Sequence, residues 1–148
     1  SRFRGVQATA VCGVFDLTVA MTGASEKALA RAGYRTAESV YLHPGHHVSY
    51  FPGARPIHLK LTFDRSDGRI LGAQAIGEEG AERRIDVIAM AMQKGGTVYD
   101  LEEAELCYAP QYGAAKDPVN LAGMIAAPAS AATHAEISEL RATGQRFA

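Results

Sequence analysis

Alternating apolar and polar residues along the first half of the chain predict a sheet of antiparallel strands. Residues 57–63 are apolar at every second position, which is the pattern of a strand with one buried face. Asp67-Gly68 predicts a turn, and residues 70–76 then supply the returning strand of a hairpin. Residues 8–22, rich in valine and threonine, predict one or two strands, and residues 35–42 predict another.

Helical patterns follow these strands. Ser25 is a good N-cap for a short helix over residues 26–32. Apolar residues recur with helical spacing over 81–94, so we expect an amphipathic helix that packs on the apolar face of the hairpin. Asp117 as N-cap and Pro118 at the first helical position predict a final buried helix. Together these elements predict an α+β fold, an antiparallel-rich sheet with helices packed on one side.

The chain has 148 residues, which suits one domain with a single core. The connecting segments are a loop rich in proline and histidine over 43–56 and a connector with a short helical turn over 97–106. We assign residues 1–127 to the domain. Residues 128–148 turn rich in alanine and serine and then polar, so we interpret them as a tail or a linker toward a further domain.

Charge and hydropathy exclude several classes of function. Lysine plus arginine number 15 and aspartate plus glutamate 16, so no overall field favours nucleic acid or an acidic membrane. No apolar run reaches the roughly 20 residues that span a bilayer, and no secretory leader is visible. We therefore expect a cytoplasmic protein. The absence of an initial methionine suggests a processed product or a piece of a longer protein.

Two cysteines and three clustered histidines are the candidates for metal or redox chemistry. Cys12 and Cys107 lack Cys-x-x-Cys spacing and lie beside apolar residues, so we interpret both as buried, inert thiols that do not pair with each other. His43, His46 and His47 have no cysteine or carboxylate cluster beside them, so we interpret them as surface histidines and predict no metal site.

Two neighbouring arginines open the second predicted helix. We expect Arg83 and Arg84 to face solvent or a partner chain, with Asp86 close enough for a weak ion pair. The sequence contains neither Gly-x-Gly-x-x-Gly nor a phosphate-binding Gly-Lys-Ser/Thr loop. We therefore expect the chain alone to bind no dinucleotide and to have no enzymatic activity.

The residues with the richest chemistry lie between 108 and 120, where two tyrosines and a lysine precede the last helix. On structural grounds alone, a Tyr-Ala-Pro turn is more often a packed corner than a site. The phrase Tyr-Ala-Pro-x-Tyr-x-x-Ala-Lys-Asp-Pro-Val-Asn resembles the C-terminal, dimer-forming domain of flavin-dependent pyridine nucleotide-disulfide oxidoreductases. The coenzyme A-disulfide reductases and related NADH oxidases are the most similar members. Segments at 4–23, 50–54 and 84–89 agree in the same order, so the resemblance covers about residues 3–127.

This resemblance implies a role within a larger enzyme, and it favours the view that the chain is a piece of one. The parent chain would be a homodimer whose N-terminal domains bind FAD and NAD(P)H. Reducing equivalents would pass through the flavin to a cysteine and then to a coenzyme A disulfide, a persulfide or oxygen. A rhodanese-like domain follows in some members.

The resemblance also implies particular site residues. Tyr50 and Tyr108 would reach across the dimer to the partner's redox cysteine, where a phenol can donate a hydrogen bond to a thiolate or pass it a proton. Lys116 is a candidate substrate-binding residue, because an ammonium can neutralise a phosphate or a thiolate. We expect Tyr112 to serve packing. Gln111 and Gly113 depart from the family pattern and leave the substrate open.

Two other readings stay open on the sequence. The domain could act alone as a non-catalytic dimerisation or binding module, and a Gly-x-Gly-x-x-Gly fingerprint upstream of this chain would argue against that reading. A histidine metal protein ranks last, because it would require stoichiometric metal.

Overall fold

Five antiparallel strands form a single sheet in the computed structural model, which describes residues 5–131 and 134–143. The spatial order is β1-β2-β5-β4-β3, so the central hairpin is flanked by a strand pair on one side and a single edge strand on the other. The predicted 57–63 and 70–76 hairpin is confirmed. Residues 8–22 form a second hairpin. The strands are β1 (Ala10–Val14), β2 (Leu17–Gly23), β3 (Ala37–Leu42), β4 (Ile57–Asp64) and β5 (Ile70–Gly77).

Five α-helices accompany the sheet within the described residues. They are α1 (Glu26–Arg31), α2 (Ala81–Gln93), α3 (Val98–Glu102), α4 (Pro118–Ala126) and α5 (His134–Ala142). The predicted N-cap of α1 is confirmed, because the Ser25 hydroxyl accepts from the amide of Ala28. Gly33, just after the helix, has a left-handed backbone. No helix in 5–131 or 134–143 has the length and apolar character needed to cross a bilayer.

The hairpin of β4 and β5 builds the core because its large and small residues complement one another. On β4 the inward residues Ile57, Leu59, Leu61 and Phe63 are fully buried. Ala73 and Ala75 oppose Leu61 and Leu59 on β5. These small residues let α2 pack closely over β2 and β5, while α4 covers β3 and β4 on the same face. Burial of each large side chain contributes about 1.5–3 kcal/mol.

The predicted α+β architecture is therefore confirmed, with α2 and α4 as the covering layer. The short helix α1 lies against the opposite face, where Glu26 forms an ion pair with Lys60. Lys60 alternates with the inward residues of β4, so its side chain leaves the sheet on the uncovered side.

The predicted burial of both cysteines is wrong. Cys12 and Cys107 are free and exposed. Cys12 lies on the edge strand β1 and pairs in register with Val19, on the face that neither α2 nor α4 covers. Cys107 lies in the irregular segment after α3. An apolar local sequence did not place either residue under a helix.

The C-terminal segment is partly helical. Helix α5 falls within the segment interpreted as a tail or linker, and a short 3-10 turn at Ala127–Ala129 crosses its start. Residues 132–133 and 144–148 of that segment lie outside the described residues. The division into 1–127 and 128–148 stays a prediction.

Gly123 sets the distance between α3 and α4. A Cβ built on Gly123 would lie 2.4 Å from the backbone nitrogen of Glu102 and 2.6 Å from the carbonyl oxygen of Val98. Both contacts are with backbone atoms, so neither can be relieved by rotation of a side chain. The two helices can approach this closely only with glycine at that position.

We therefore expect Gly123→Ala to destabilise the protein by about 1–3 kcal/mol, because overpacking outweighs the gain of about 1 kcal/mol in helix propensity. Urea unfolding followed by circular dichroism measures the change. Gly13→Ala is the control, because a Cβ at Gly13 meets no atom within 4 Å. A stabilised Gly123→Ala protein would contradict the close packing.

Asp64 joins the end of β4 to Tyr34, which follows the turn after α1. Its carboxylate accepts from the amide and hydroxyl of Ser66 at 2.8 and 2.6 Å and from the Tyr34 hydroxyl at 2.5 Å. Burial alone would raise the pKa of Asp64, but the hydrogen bonds from Ser66 and Tyr34 outweigh it and hold the pKa below its ordinary value. The hydrogen bond with Asp64 also raises the pKa of Tyr34.

Asp64 should make stability depend on pH in the acid range. Since its pKa is lower in the folded state, the carboxylate stabilises the fold above the unfolded-state pKa of about 3.9. This stabilisation disappears as the pH falls through the folded-state pKa. We expect Asp64→Asn to lower the free energy of unfolding at pH 7 and to flatten its slope below about pH 5. Urea titrations at several pH values test this, and Tyr34→Phe should keep part of the slope because Ser66 still donates.

Candidate functional site

Tyr50 and Tyr108 come together although they are 58 residues apart in the chain, with their hydroxyl oxygens 3.3 Å from each other. Tyr50 lies on the loop between β3 and β4, and Tyr108 on the irregular segment between α3 and α4. Both side chains are open to solvent, Tyr50 at 75% and Tyr108 at 48% exposure. The two phenols therefore form a pair at the surface of the domain.

The pair is loosely hydrogen-bonded, because 3.3 Å is long for a contact between two hydroxyls. The hydrogen bond with Tyr50 nevertheless raises the pKa of Tyr108 above its ordinary value. Tyr108 is therefore a neutral donor at physiological pH. Two adjacent hydroxyls can donate to one anionic or polarisable atom placed between them.

Arg84 lies beneath the loops that carry the tyrosines, and its predicted exposure is wrong. Its side chain is only 2% exposed. Its Nε and Nη2 donate to the two carboxylate oxygens of Asp117 at 3.2 and 2.8 Å, which is the bidentate geometry of a strong ion pair. Nη2 also donates to the carbonyl of His46 at 2.7 Å, and Nη1 to that of Gly80 at 3.2 Å. The expected partner, Asp86, is exposed, because helix α2 turns Arg84 toward the loops.

Arg83 binds the same carboxylate from the solvent side. Its Nη2 donates to Asp117 and its Nη1 to the carbonyl of Tyr112, both at 3.3 Å. Arg83 is partly exposed, as predicted. Two consecutive arginines of α2 therefore hold the segment that runs from Tyr108 to α4.

Asp117 combines this ion pair with the predicted N-cap of α4. Its carboxylate accepts from the amide of Val119 at 3.1 Å, and its own amide donates to Asn120 at 3.0 Å. The side-chain amide of Asn120 in turn donates to the carbonyl of Leu101 in α3 and to that of Ala104 just after it. One buried acid thus fixes the start of α4 and the end of the tyrosine segment.

The histidine cluster differs from its prediction in part. His43 is exposed, but His46 and His47 are buried. The ring of His46 accepts from the amide of Arg55 at 3.0 Å and lies 3.3 Å from a carboxylate oxygen of Glu79. The proline-rich loop folds over these rings, which sequence spacing could not show. Across the described residues, no three His, Cys, Asp or Glu side chains gather as metal ligands.

Lys116 and Tyr112, the other residues named in this region, are both exposed on the segment between α3 and α4. Lys116 is exposed on the segment that carries Tyr108. Tyr112, expected to serve packing, is 65% exposed, so its ring is not part of the domain core. The amide of Val48 donates to the carbonyl of Gly113 at 3.2 Å and joins the two loops directly.

Comparisons with known proteins show the family to which the chain is related. The family described as pyridine nucleotide-disulphide oxidoreductase, dimerisation domain, matches residues 9–117. A coenzyme A disulfide reductase of Staphylococcus aureus is 40% identical over 121 residues, which are 82% of this chain and 27% of that protein. The chain therefore spans about a quarter of the length of the curated relatives it matches.

Solved structures give the same assignment. The reduced CoADR-RHD of Bacillus anthracis superposes with a TM-score of 0.84 at 41% identity, covering 97% of this chain and 27% of that one. The NAD-dependent persulfide reductase of A. fulgidus gives 0.81 at 36% identity, covering 85% of this chain and 23% of that one. The water-forming NADH oxidase of Lactobacillus brevis gives 0.79 at 21% identity over 91% of this chain and 28% of that one, a likeness of fold alone.

These matches confirm the resemblance drawn from the tyrosine segment, and the chain belongs to the dimerisation-domain family of the pyridine nucleotide-disulphide oxidoreductases.

Proposed function

We propose that this chain is the interface domain of a homodimeric, FAD-dependent NAD(P)H:disulfide oxidoreductase and that it supplies Tyr50 and Tyr108 to the partner subunit's redox cysteine. The pairing of their hydroxyls at 3.3 Å carries the proposal. Two phenols brought together from distant loops and left open to solvent do little for this domain's own core. They are well placed to contact a reacting group that lies outside it.

The acceptor we propose contains a sulfur–sulfur bond. The relatives with 36% identity or more include proteins named coenzyme A disulfide reductase and NAD-dependent persulfide reductase. The similarity to the NADH oxidase, at 21% identity, indicates only a shared fold. A coenzyme A disulfide or a persulfide is therefore preferred to oxygen as the substrate.

The cofactors of such an enzyme do not fit this chain. The sequence lacks the glycine-rich dinucleotide fingerprint. A surface cleft of about 600 Å³ is lined by Glu78, Glu79 and Glu82, whose carboxylates would repel a pyrophosphate. FAD and NAD(P)H would be bound by other parts of the parent protein.

The tyrosines act better as hydrogen-bond donors than as proton donors. Ordinary phenol and thiol pKa values differ by about 1.5 units, so complete transfer of a proton from tyrosine to a cysteine thiolate is unfavourable. The raised pKa of Tyr108 makes that transfer less favourable still. A hydrogen bond to the sulfur that gains charge as the disulfide breaks requires no transfer and stabilises the transition state.

Lys116 extends the proposed site toward the substrate. It is exposed and lies eight residues after Tyr108 on the same segment. Its ammonium would attract a phosphate of a coenzyme A-type substrate as a flexible point charge. We propose it as a substrate-binding residue.

The same proposal places the protein in a reducing compartment, the cytoplasm. Both cysteines are exposed and unpaired. Exposed thiols stay reduced most readily in that compartment.

The proposed homodimer has two exposed apolar regions available for contact. Phe15 at the tip of the β1–β2 hairpin is fully exposed, and its φ of 54° is left-handed, at a cost of about 1–2 kcal/mol for a non-glycine residue. A strained, exposed aromatic residue is readily explained by a contact outside the chain. The first region comprises Val14, Phe15, Leu17 and Ile76, and the second comprises Tyr50, Phe51, Tyr108 and Tyr112.

Tyr108→Phe in the intact flavoprotein tests the catalytic assignment. We expect disulfide turnover to fall about 10²-fold, because one donor to the developing thiolate is lost. Flavin content and the rate of flavin reduction by NAD(P)H should not change. Steady-state and stopped-flow absorbance measure these quantities.

Tyr112→Phe is the matched control for that experiment, because it removes a hydroxyl from the same segment and should leave turnover unchanged. Full turnover in Tyr108→Phe would remove the catalytic role. An intact protein that binds no flavin would instead favour a stand-alone dimerisation or binding module.

Sedimentation equilibrium of this chain alone tests the dimer. We expect a monomer–dimer equilibrium with a dissociation constant in the micromolar range, because the exposed apolar regions are available without the other domains. A strict monomer at 100 μM, on the order of a hundred times a 1 μM dissociation constant, would mean that other parts of the parent protein are needed for the contact.

A further inference from the structure

We propose that Arg84 is a positioning residue that fixes the separation of Tyr50 and Tyr108, and hence their alignment on the partner's sulfur. This inference rests on the proposed function. Arg84 lies on α2 and not on either of the loops that carry the tyrosines. Its side chain is buried. It acts through the backbone of both loops.

Arg84 forms hydrogen bonds to both of the loops that carry the tyrosines. On the first loop it binds the carbonyl of His46, four residues before Tyr50. On the second it binds both oxygens of Asp117, nine residues after Tyr108. A single planar guanidinium therefore sets the distance and angle between the loops where they leave the core.

Burial makes this anchor rigid. Arg84 and Asp117 are 2% and 3% exposed. In such surroundings an unpaired charge is strongly unfavourable, so the pair remains closed. A lysine would keep the charge but cannot contact Asp117 and the His46 carbonyl with the same fixed fork.

Gly80 completes the anchor from the start of α2. Its φ is +72°, and a Cβ there would lie 2.3 Å from Nη1 of Arg84. Its carbonyl accepts from that same nitrogen at 3.2 Å. Gly80→Ala would therefore displace the guanidinium and leave Arg84 itself in the sequence.

If the contacts of Arg84 are lost, the two loops can move and the tyrosine hydroxyls, although still present, are misplaced. A displacement of about 1 Å at a reacting centre can lower a rate by as much as about 10²-fold. The backbone hydrogen bond from Val48 to Gly113 would still join the two loops, so they would shift and not unfold. Arg84 should therefore affect turnover mainly while Tyr108 is present, because without it no separation between two hydroxyls is left to be fixed.

A double-mutant cycle in the intact flavoprotein tests this coupling, with Arg84→Lys and Tyr108→Phe as the two changes. We expect Arg84→Lys alone to lower disulfide turnover by about ten- to a hundredfold with flavin content unchanged. In the Tyr108→Phe background, the same change should lower turnover by less than about threefold. Gly80→Ala takes the place of Arg84→Lys if the latter does not fold.

Ile88→Val controls for a general loss of stability. Ile88 lies on the same helix but is buried in the core beneath the sheet. Its truncation removes one buried methyl group and should leave turnover unchanged at 25 °C.

The remaining outcomes separate the two proposals. Equal losses from Arg84→Lys in both backgrounds, or no loss in the wild-type background, would overturn the positioning role while the tyrosine assignment stands. Unchanged turnover in Tyr108→Phe would overturn both.

Discussion

The buried ion pair of Arg84 and Asp117 is the constraint on which the site depends. Two charges in a dry interior are stable only together, and loss of either one typically costs about 3–5 kcal/mol. Here the carboxylate also caps α4, and the guanidinium also binds the carbonyl of His46. One interaction therefore links the covering helices to both loops that carry the tyrosines.

The sheet supplies the rigid support for this link. Small residues on β5 let α2 lie close to the strands, and that close packing brings the first turn of α2 to the loops at the end of the sheet. Gly80 gives the turn into α2 its left-handed geometry and leaves space for Arg84. The core thus fixes the position of Arg84, and Arg84 fixes the loops. Functional side chains on loops gain precision when a rigid element holds the backbone beside them.

Local sequence predicted most of the regular structure. The hairpin of β4 and β5, the helices α1 and α2, and the caps at Ser25 and Asp117 follow from alternation, helical spacing and capping chemistry, which act within a few residues. The two tyrosines were identified through family resemblance, since nothing in their own neighbourhood distinguishes a site from a packed corner. Their meeting at 3.3 Å is a property of the fold.

The sequence by itself determined which segments are strands and helices, where they begin and which family the chain belongs to. Only the tertiary structure decided burial, because burial depends on which face of an element a distant segment covers. Cys12 is exposed because no helix covers its side of the edge strand, while His46 and His47 are buried because a loop folds over them. Arg84 was expected at the surface because a charged residue at the start of a helix usually lies there. Its partner Asp117 is 33 residues away, and only the packing of α2 against α4 brings the two charges together.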